Sequence, residues 1–397
     1  MRLPQAGILT VGNELLDGRV FNSNAAFLAQ RLTDAGFLVV ATETVADDEP
    51  VIADAIKALC ARADTVVVVG GLGPTHDDVT RSALAGAAAK LLVIDKELKK
   101  LIHKKTGGHA PRKNARMAKI PEGAIVFPNP VGTAPGLRVD TGGTPVYALP
   151  GVPMEMEAIF TKHIRPDLEA TFGSEPLELR VLRVYGLREA QIASKLEDVL
   201  ERGTGITAKH GVVTIVLSGD NADQSADEIH KRLGKRVFGE GDTTLAKVVL
   251  EKLANRKRTL AIAESVTGGM ASSLMVDQPG ASAVFLGGIV AYETAQKHEL
   301  LGVPKSVLKK HGPASDEVAM RMARGVRRKL GASVGMATTG VAGPDKDERG
   351  VPVGKGFVAV ASSKGTEVEK LSCVGDRVSI RHRFAWQAFD LLRRHLG

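Results

Sequence analysis

Two short stretches hold residue types at spacings that could do chemistry. In "LAIAESVTGGMASS" (260–273) an apolar run, Leu260 to Ala263, stops at a carboxylate, Glu264. Two hydroxyls follow, Ser265 and Thr267, then Gly268 and Gly269, then a run of helical character. Such a turn can present a nucleophile, grip a phosphate, or merely join a strand to a helix. Backbone N–H groups at Gly268–Gly269 are expected to be open, because the first turn of a helix leaves its donors unpaired. In "VVVVGGLGPTHDDVT" (66–80) a buried strand delivers Gly70, Gly71 and Gly73 into a loop just ahead of a helix. Glycines there let N–H groups approach phosphate oxygens. Asp77 and Asp78 add two carboxylates where a divalent cation could bridge to those phosphates. The spacing alone fits equally well a plain turn in which Asp78 or Thr75 caps the helix.

The elements that must position these groups alternate. "AGILTVG" reads as a strand, "NAAFLAQRLTDAG" as a helix closed by Gly36, "FLVVATETV" as a strand, and "PVIADAIKALCARA" as a helix opened by Pro50. "DTVVVVGG" and "DDVTRSALAGAAAKL" continue the pattern as strand and helix. Strands separated by helices of this length imply right-handed crossovers and a parallel sheet. Ligands then bind beyond the carboxyl ends of the strands, which puts Gly12–Glu14 and Gly70–Asp78 on one rim. Between about 170 and 240 the pattern changes to strand, helix, strand, helix, enough for a small α+β module. There "YGLRE" stands where a KH-type RNA module would need a GXXG loop, so a spacer or dimerisation element is expected. From about 243 a second α/β unit begins and runs to a last helix, "VSIRHRFAWQAFDLLRRHL". The expected fold is α/β: two α/β domains with mostly parallel sheets, 1–168 and 243–397, joined by an α+β module at 169–242.

Composition excludes several classes. Of 397 residues, 44% are hydrophobic and 25% charged, as in ordinary globular chains. The net charge of +8 could serve nucleic acid, yet the basic clusters are scattered and aromatics make up only 4%, leaving few platforms for stacking bases. Nucleic acid is therefore a minor hypothesis. No apolar run of about 18 residues suggests a membrane span, and the opening residues lack a signal-peptide pattern. Two cysteines, Cys60 and Cys373, rule out a disulfide framework. A cytoplasmic protein is expected.

Taken together, "GNELLDGRVFNSN", "VADD", "GGLGPTHDDVT", "NPVGTAPGL" and "LPGVPMEM" resemble the CinA family (competence/damage-inducible protein A), whose N-terminal domain is similar to the MoaB/MogA molybdopterin-binding fold. The resemblance implies metal-dependent hydrolysis of ADP-ribose to AMP and ribose 5-phosphate. It places Glu14, Asn24, Asp48, Gly71, Asp77, Asp78, Gly132, Gly136 and Pro150–Gly151 in the pocket, beside Gly12, Gly70, Gly73 and Thr75 of the same motifs. Asp77 and Asp78, then Glu14, are the expected metal ligands, for Mg, Mn or Co, with a monovalent cation as a further implied cofactor. The chain departs from the family at Lys113–Ala115, "KNA" where the family usually reads "KQA". Fold alone does not fix a ligand, so a non-catalytic nucleotide- or molybdopterin-binding regulator stands as the alternative.

The resemblance continues through "AESVTGG", "VFLGGIVAYETAQKHELLGV", "TTGVAGPD", "PVGKGFVAVA" and "GDRVSIR", which look like the nicotinamide-mononucleotide (NMN) deamidase domain, also found as the stand-alone PncC protein. The implied reaction turns NMN into nicotinic acid mononucleotide and ammonia, without a metal. The family commonly has "ESCTGG", and this chain carries Val266 in place of the cysteine, which leaves Ser265 as the nucleophile. The resemblance points to Tyr292 and Lys297 as its partners. A lysine can serve if burial brings its pKa toward neutrality, and the five-residue spacing works if Tyr292 ends a strand and Lys297 begins the next helix. Glu264 is expected to orient Lys297 or the ribose, or to make a structural hydrogen bond. Thr267, Gly268, Gly269, Thr339, Gly340, Ala342 and Gly343 should line the nucleotide site. Arg377 and Arg381, four apart, could meet the 5′-phosphate. A homodimer is implied by the family.

Overall fold

The apolar run Thr65–Val69 is buried on both faces, as a central strand of a parallel sheet must be. The computed structural model describes residues 3–106, 116–175, 179–200, 204–219 and 221–397. The chain divides into two compact units, Met1–Glu178 and Leu179–Gly397. In the first, strands β1 (Gln5–Val11), β2 (Leu38–Val45), β3 (Thr65–Val69), β4 (Ile125–Phe127), β5 (Gly136–Thr141) and β6 (Thr144–Leu149) form one sheet. Their order is β2-β1-β3-β6-β5-β4. The first four of that order run parallel, β5 pairs antiparallel with β6, and β4 pairs antiparallel with β5. Side chains alternate across the sheet: Val66 and Val68 join the core under helices Glu49–Cys60 and Thr80–Ala87, whereas Val67 and Val69 meet helices Ser23–Asp34 and Pro153–Ile159 on the other face. The "KNA" segment lies outside the described residues.

The second unit opens with an antiparallel sheet of β7 (Arg180–Tyr185), β8 (Gly205–Lys209), β9 (Val212–Leu217) and β10 (Val237–Glu240), in the order β8-β9-β7-β10. Helices Glu189–Lys195 and Ala222–Leu233 supply Ile192, Ala226 and Ile229 to its core. Sequence reading missed β8 because "GITAK" is mostly exposed and lacks apolar alternation.

A five-stranded sheet follows: β11 (Leu260–Glu264), β12 (Phe285–Val290), β13 (Val334–Gly340), β14 (Lys355–Ser362) and β15 (Gly365–Ser372), ordered β12-β11-β13-β14-β15. The first three are parallel, and β14–β15 is an antiparallel hairpin. The Lys/Glu-rich strand β15, largely unburied, escaped the sequence reading. Leu260 and Ile262 pack toward helices Leu245–Asn255 and Arg377–Leu396, and Ala261 and Ala263 toward helix Asp316–Lys329. The fold class is the expected α/β. No helix among the described residues is long and apolar enough to cross a membrane.

Candidate active sites

Strand β11 is buried throughout and ends at Glu264. The next residue stays tied to the sheet, its N–H donating to Thr338 O at 3.0 Å, so Ser265 is presented at the carboxyl edge. Gly268 (φ 57°) and Gly269 (φ 95°) then take left-handed backbone that lets helix Met270–Val276 start at once. Lys297, on the short helix Thr294–Glu299, points its Nζ at Ser265 Oγ, 2.7 Å away. The lysine is only 1% exposed, and this burial brings its pKa down to about 8. Thr339 Oγ1 accepts from the same Nζ at 3.2 Å and donates to Pro313 O at 2.7 Å. With its own proton committed to Pro313, Thr339 can only accept from the lysine. A neutral Lys297 therefore keeps its lone pair for the serine proton. This pair sits at the base of a cleft of about 800 Å³, whose walls include Val266, Gly340, Ala342, Gly343 and Arg377.

Several expectations for this site need correction. Glu264 touches neither Lys297 nor the cleft. Its buried carboxylate accepts from Thr267 Oγ1 (2.7 Å), Gly269 N (2.9 Å), Ala271 N (3.0 Å), Ser272 N (2.8 Å) and Ser272 Oγ, so it caps the following helix. The N–H of Gly269 is thereby taken, and that of Gly268 donates to Ser265 O at 3.2 Å; neither is open. No partner for the Val266 N–H is found among the described residues. The Thr267 side chain is fully buried between Glu264 and Thr338. Arg381 donates to Thr267 O at 3.1 and 2.8 Å, bracing the turn from behind. Tyr292 lines the cleft but is 59% exposed, and its hydroxyl accepts from Arg377 Nη2 at 2.7 Å, not from the pair. Arg377 also donates to Gly343 O. Pro313 and Arg349 line the same cleft and went unmentioned in the sequence reading, since only the fold brings them to it.

In the first unit, the ends of β1 and β3 open onto a cleft of about 580 Å³ lined by Glu14, Gly70, Gly71, Thr75, Asp77 and Gly132, among others. Gly12 makes room for Glu14, whose carboxylate would lie 2.6 Å from a Cβ there. Asp78 is the organiser of the glycine loop: it accepts from Gly73 N (2.7 Å), Thr75 N (2.7 Å) and Thr75 Oγ1. Buried Arg81 holds the loop from inside through Leu72 O and Gly73 O. The N–H of Gly70 goes to Leu149 O, so of the three glycines only Gly71 has no N–H partner among the described residues. Asp77 is open to the cleft.

Three pocket expectations fail here. Asp48 caps helix Glu49–Cys60 through Val51 N, and its neighbour Asp47 lines the cleft instead. Asn24 lies in a small adjoining hollow and holds Gly151 O at 2.8 Å. Gly136 is buried in β5, where a Cβ would come 2.8 Å from Ile159 Cγ2; it serves packing. Glu155, absent from the sequence reading, lines the cleft and accepts from Asn129 Nδ2 at 2.6 Å. No three His, Cys, Asp or Glu side chains converge into a metal cage among the described residues. Glu14 and Asp77 fit a looser arrangement, in which a hydrated cation borrows its remaining ligands from phosphate and water.

Comparison with known proteins covers the whole chain. A family model described as "CinA C-terminal domain" matches residues 242–396, "Probable molybdopterin binding domain" matches 7–170, and "Damage-inducible protein CinA KH domain" matches 179–239. A CinA-like protein of Frankia casuarinae is 40% identical over 418 residues, covering 99% of this chain and 96% of that one. A CinA-like protein of Thermotoga maritima is 37% identical over 407 residues, covering 99% and 98%. A solved structure of "the protein CinA with unknown function" from Thermoplasma acidophilum is 42% identical, spanning 41% of this chain and 98% of that one, with a TM-score of 0.40. The KH match gives the middle module a kinship that its missing GXXG loop had argued against. No two of its glycines are three residues apart, so the backbone clamp of nucleic-acid-binding KH modules is lacking.

Proposed function

The chain belongs to the CinA family, and on that premise we propose that its C-terminal domain hydrolyses the carboxamide of NMN to nicotinic acid mononucleotide and ammonia. The observation that carries this reading is the buried Lys297 Nζ, 2.7 Å from Ser265 Oγ, with its pKa near 8. Neutral Lys297 takes the Ser265 proton as Oγ bonds to the carboxamide carbon, and the carbonyl electron pair moves onto oxygen. The N–H of Val266, the residue after the nucleophile, is the available donor for that oxyanion. The lysine ammonium then protonates the amide nitrogen, the C–N bond breaks and ammonia leaves. A water, deprotonated by Lys297, cleaves the ester left on Ser265 and restores the hydroxyl. Arg377, at the first position of the last helix, is the cleft's candidate for the 5′-phosphate.

The test is ammonia release from NMN without added metal, comparing wild type with Ser265→Ala. Release by wild type alone supports the serine route. Equal release by both removes Ser265 as nucleophile.

A second reading rests on the N-terminal cleft. Its open carboxylates, Glu14 and Asp77, beside the Gly71 backbone favour a pyrophosphate with a divalent cation, consistent with ADP-ribose hydrolysis to AMP and ribose 5-phosphate. Such a cation, held by Glu14 and Asp77, would supply charge neutralisation and a more acidic water. AMP release from ADP-ribose that depends on Mg, Mn or Co would separate this reading from a non-catalytic nucleotide- or molybdopterin-binding role.

A further inference from the structure

The segment that leaves β13 at Val341 and re-enters the sheet at Lys355 forms one wall of the C-terminal cleft. It is a folded flap. Val341 N donates to Lys355 O (2.9 Å) and Gly354 N to Val341 O (2.7 Å), closing its base. Asp347 organises the tip, its carboxylate accepting from Arg349 N (3.0 Å) and Val351 N (2.8 Å). Among the described residues one side chain hydrogen-bonds the tip to the opposite wall. That is Arg349, whose Nη2 donates to Lys309 O at 2.6 Å and Leu308 O at 3.4 Å, at the end of helix Lys305–His311. Helix C-termini offer such carbonyls to cations. The next turn is built to receive the arginine: a Cβ on Gly312 (φ +81°) would lie 3.0 Å from Arg349 Cδ and 3.1 Å from Nη1. The following carbonyl, Pro313 O, is the one that holds Thr339, which in turn holds Lys297.

We propose that Arg349 is a positioning residue of the amidase site: it latches the 341–355 flap across the cleft so that the nucleotide meets a preformed wall. This rests on the amidase reading above. Among the described residues Arg349 makes no hydrogen bond to Ser265 or Lys297, so its contribution falls on binding and not on proton transfer. Asp345, Lys346 and Glu348 on the flap line the cleft without hydrogen-bond or ion-pair partners among the described residues, which leaves them free for the ligand. Without the latch, ordering the flap becomes a cost of binding.

The experiment compares full-length wild type with Arg349→Ala and Arg349→Lys. For Arg349→Ala the KM for NMN rises about tenfold, the usual scale for losing preorganisation of one loop, while kcat and its pH dependence stay put. Arg349→Lys, with a single cationic donor group, recovers part of the loss. Calorimetric NMN affinity, measured in a Ser265→Ala background, falls by the same factor as KM rises. Amide hydrogen exchange in 341–355 speeds up in Arg349→Ala without any ligand. A fall in kcat at unchanged KM, or unaltered exchange in the flap, overturns the proposal. Absence of ammonia release by wild type counts against the amidase reading alone, and the exchange measurement still decides on the latch.

Discussion

Replacing Lys297 with methionine separates chemistry from stability in one side chain. The pKa of Lys297 drops from 10.5 to about 8 because the ammonium is buried, with no carboxylate paired to it among the described residues. At pH 7 roughly a tenth of the molecules then carry a neutral base, against fewer than about one in a thousand for an unburied lysine. The rate kcat/KM for NMN should therefore climb about tenfold between pH 7 and 9 and level off above that. An unperturbed lysine would give about a hundredfold climb continuing past pH 10. In stability the same burial is a cost, since the unfolded chain binds the proton more tightly than the folded one between pH 8 and 10.5. The cost is fully present below pH 8 and is relieved as pH rises toward 10.5. The drop corresponds to about 3 kcal/mol, partly offset in Lys297→Met by about 1–2 kcal/mol for leaving the Ser265 and Thr339 hydroxyls without their partner. The variant should be inactive by about 10³-fold or more, yet more stable than wild type at pH 7 by about 1–2 kcal/mol. Ammonia release across pH 6–10.5 and urea unfolding at pH 7 and 10 measure both. A folded variant that keeps a tenth of wild-type activity, or one that loses stability at pH 7, refutes the buried-base argument.

The other predictions address groups whose roles the structure reassigns. Glu264→Gln should lose about 2–4 kcal/mol in urea unfolding, because an amide cannot accept all the hydrogen bonds that the carboxylate now receives; unchanged stability with a raised KM for NMN would return it to ligand binding. For metal-dependent ADP-ribose hydrolysis, Asp77→Asn should be rescued by raising the metal concentration, whereas Asp78→Asn should not, since it loosens the Gly73–Thr75 loop itself. Identical metal titrations for the two variants would contradict that division. The stacked rings of His210 and His382, 4.3 Å apart, face Lys209, Arg381 and Arg383, with Asp376 of opposite sign near His210 among the described residues. Burial first lowers both pKa values below 6.5, aided at His210 by Lys209 and Arg383 and at His382 by His210 itself, Arg381 and Lys209. Stability of the second unit should thus be complete above pH 6.5 and decline as pH falls below it. His210→Asn tolerates the same left-handed turn (φ 51°) and should flatten the decline; equal losses at pH 5.5 for both proteins would rule the pair out as the cause.

Much of the architecture was legible because it rests on local patterns. Alternating apolar runs and helical stretches announce the parallel strands, and their carboxyl ends announce both rims. The placement of Ser265 was legible too: it follows directly on β11 and precedes two glycines that a tight strand-to-helix turn requires. What escaped was the antiparallel edge. Strands β8 and β15 lie largely exposed, so their sequences carry charges and threonines instead of an apolar rhythm. Pro313 and Arg349 escaped for another reason. Their relevance comes from contacts between segments distant in sequence, and nothing in "HGPAS" or "DKDERG" marks either residue apart from its neighbours.

The misassigned carboxylates share one physical cause. Glu264 and Asp48 each stand ahead of a helix, where several backbone N–H groups lack intrahelical partners, and Asp78 does the same duty for the glycine loop, accepting from Gly73 N and Thr75 N. A carboxylate there satisfies those donors at once, and so it is consumed by the fold before a ligand arrives. Asp77, beside Asp78 in the loop, and Glu14, inside a single-turn helix, have no such duty and stay open to the cleft. On the amidase reading, the same reasoning explains why the C-terminal site would use a lysine. Glu264 already occupies the helix start behind Ser265, so a carboxylate there cannot act on the serine. Lys297 enters from the neighbouring segment, where a buried amine without a counter-ion becomes a usable base near neutral pH. On the amidase reading, structural capping and catalytic basicity are therefore divided between Glu264 and Lys297 on opposite sides of the one residue, Ser265, that each helps to place.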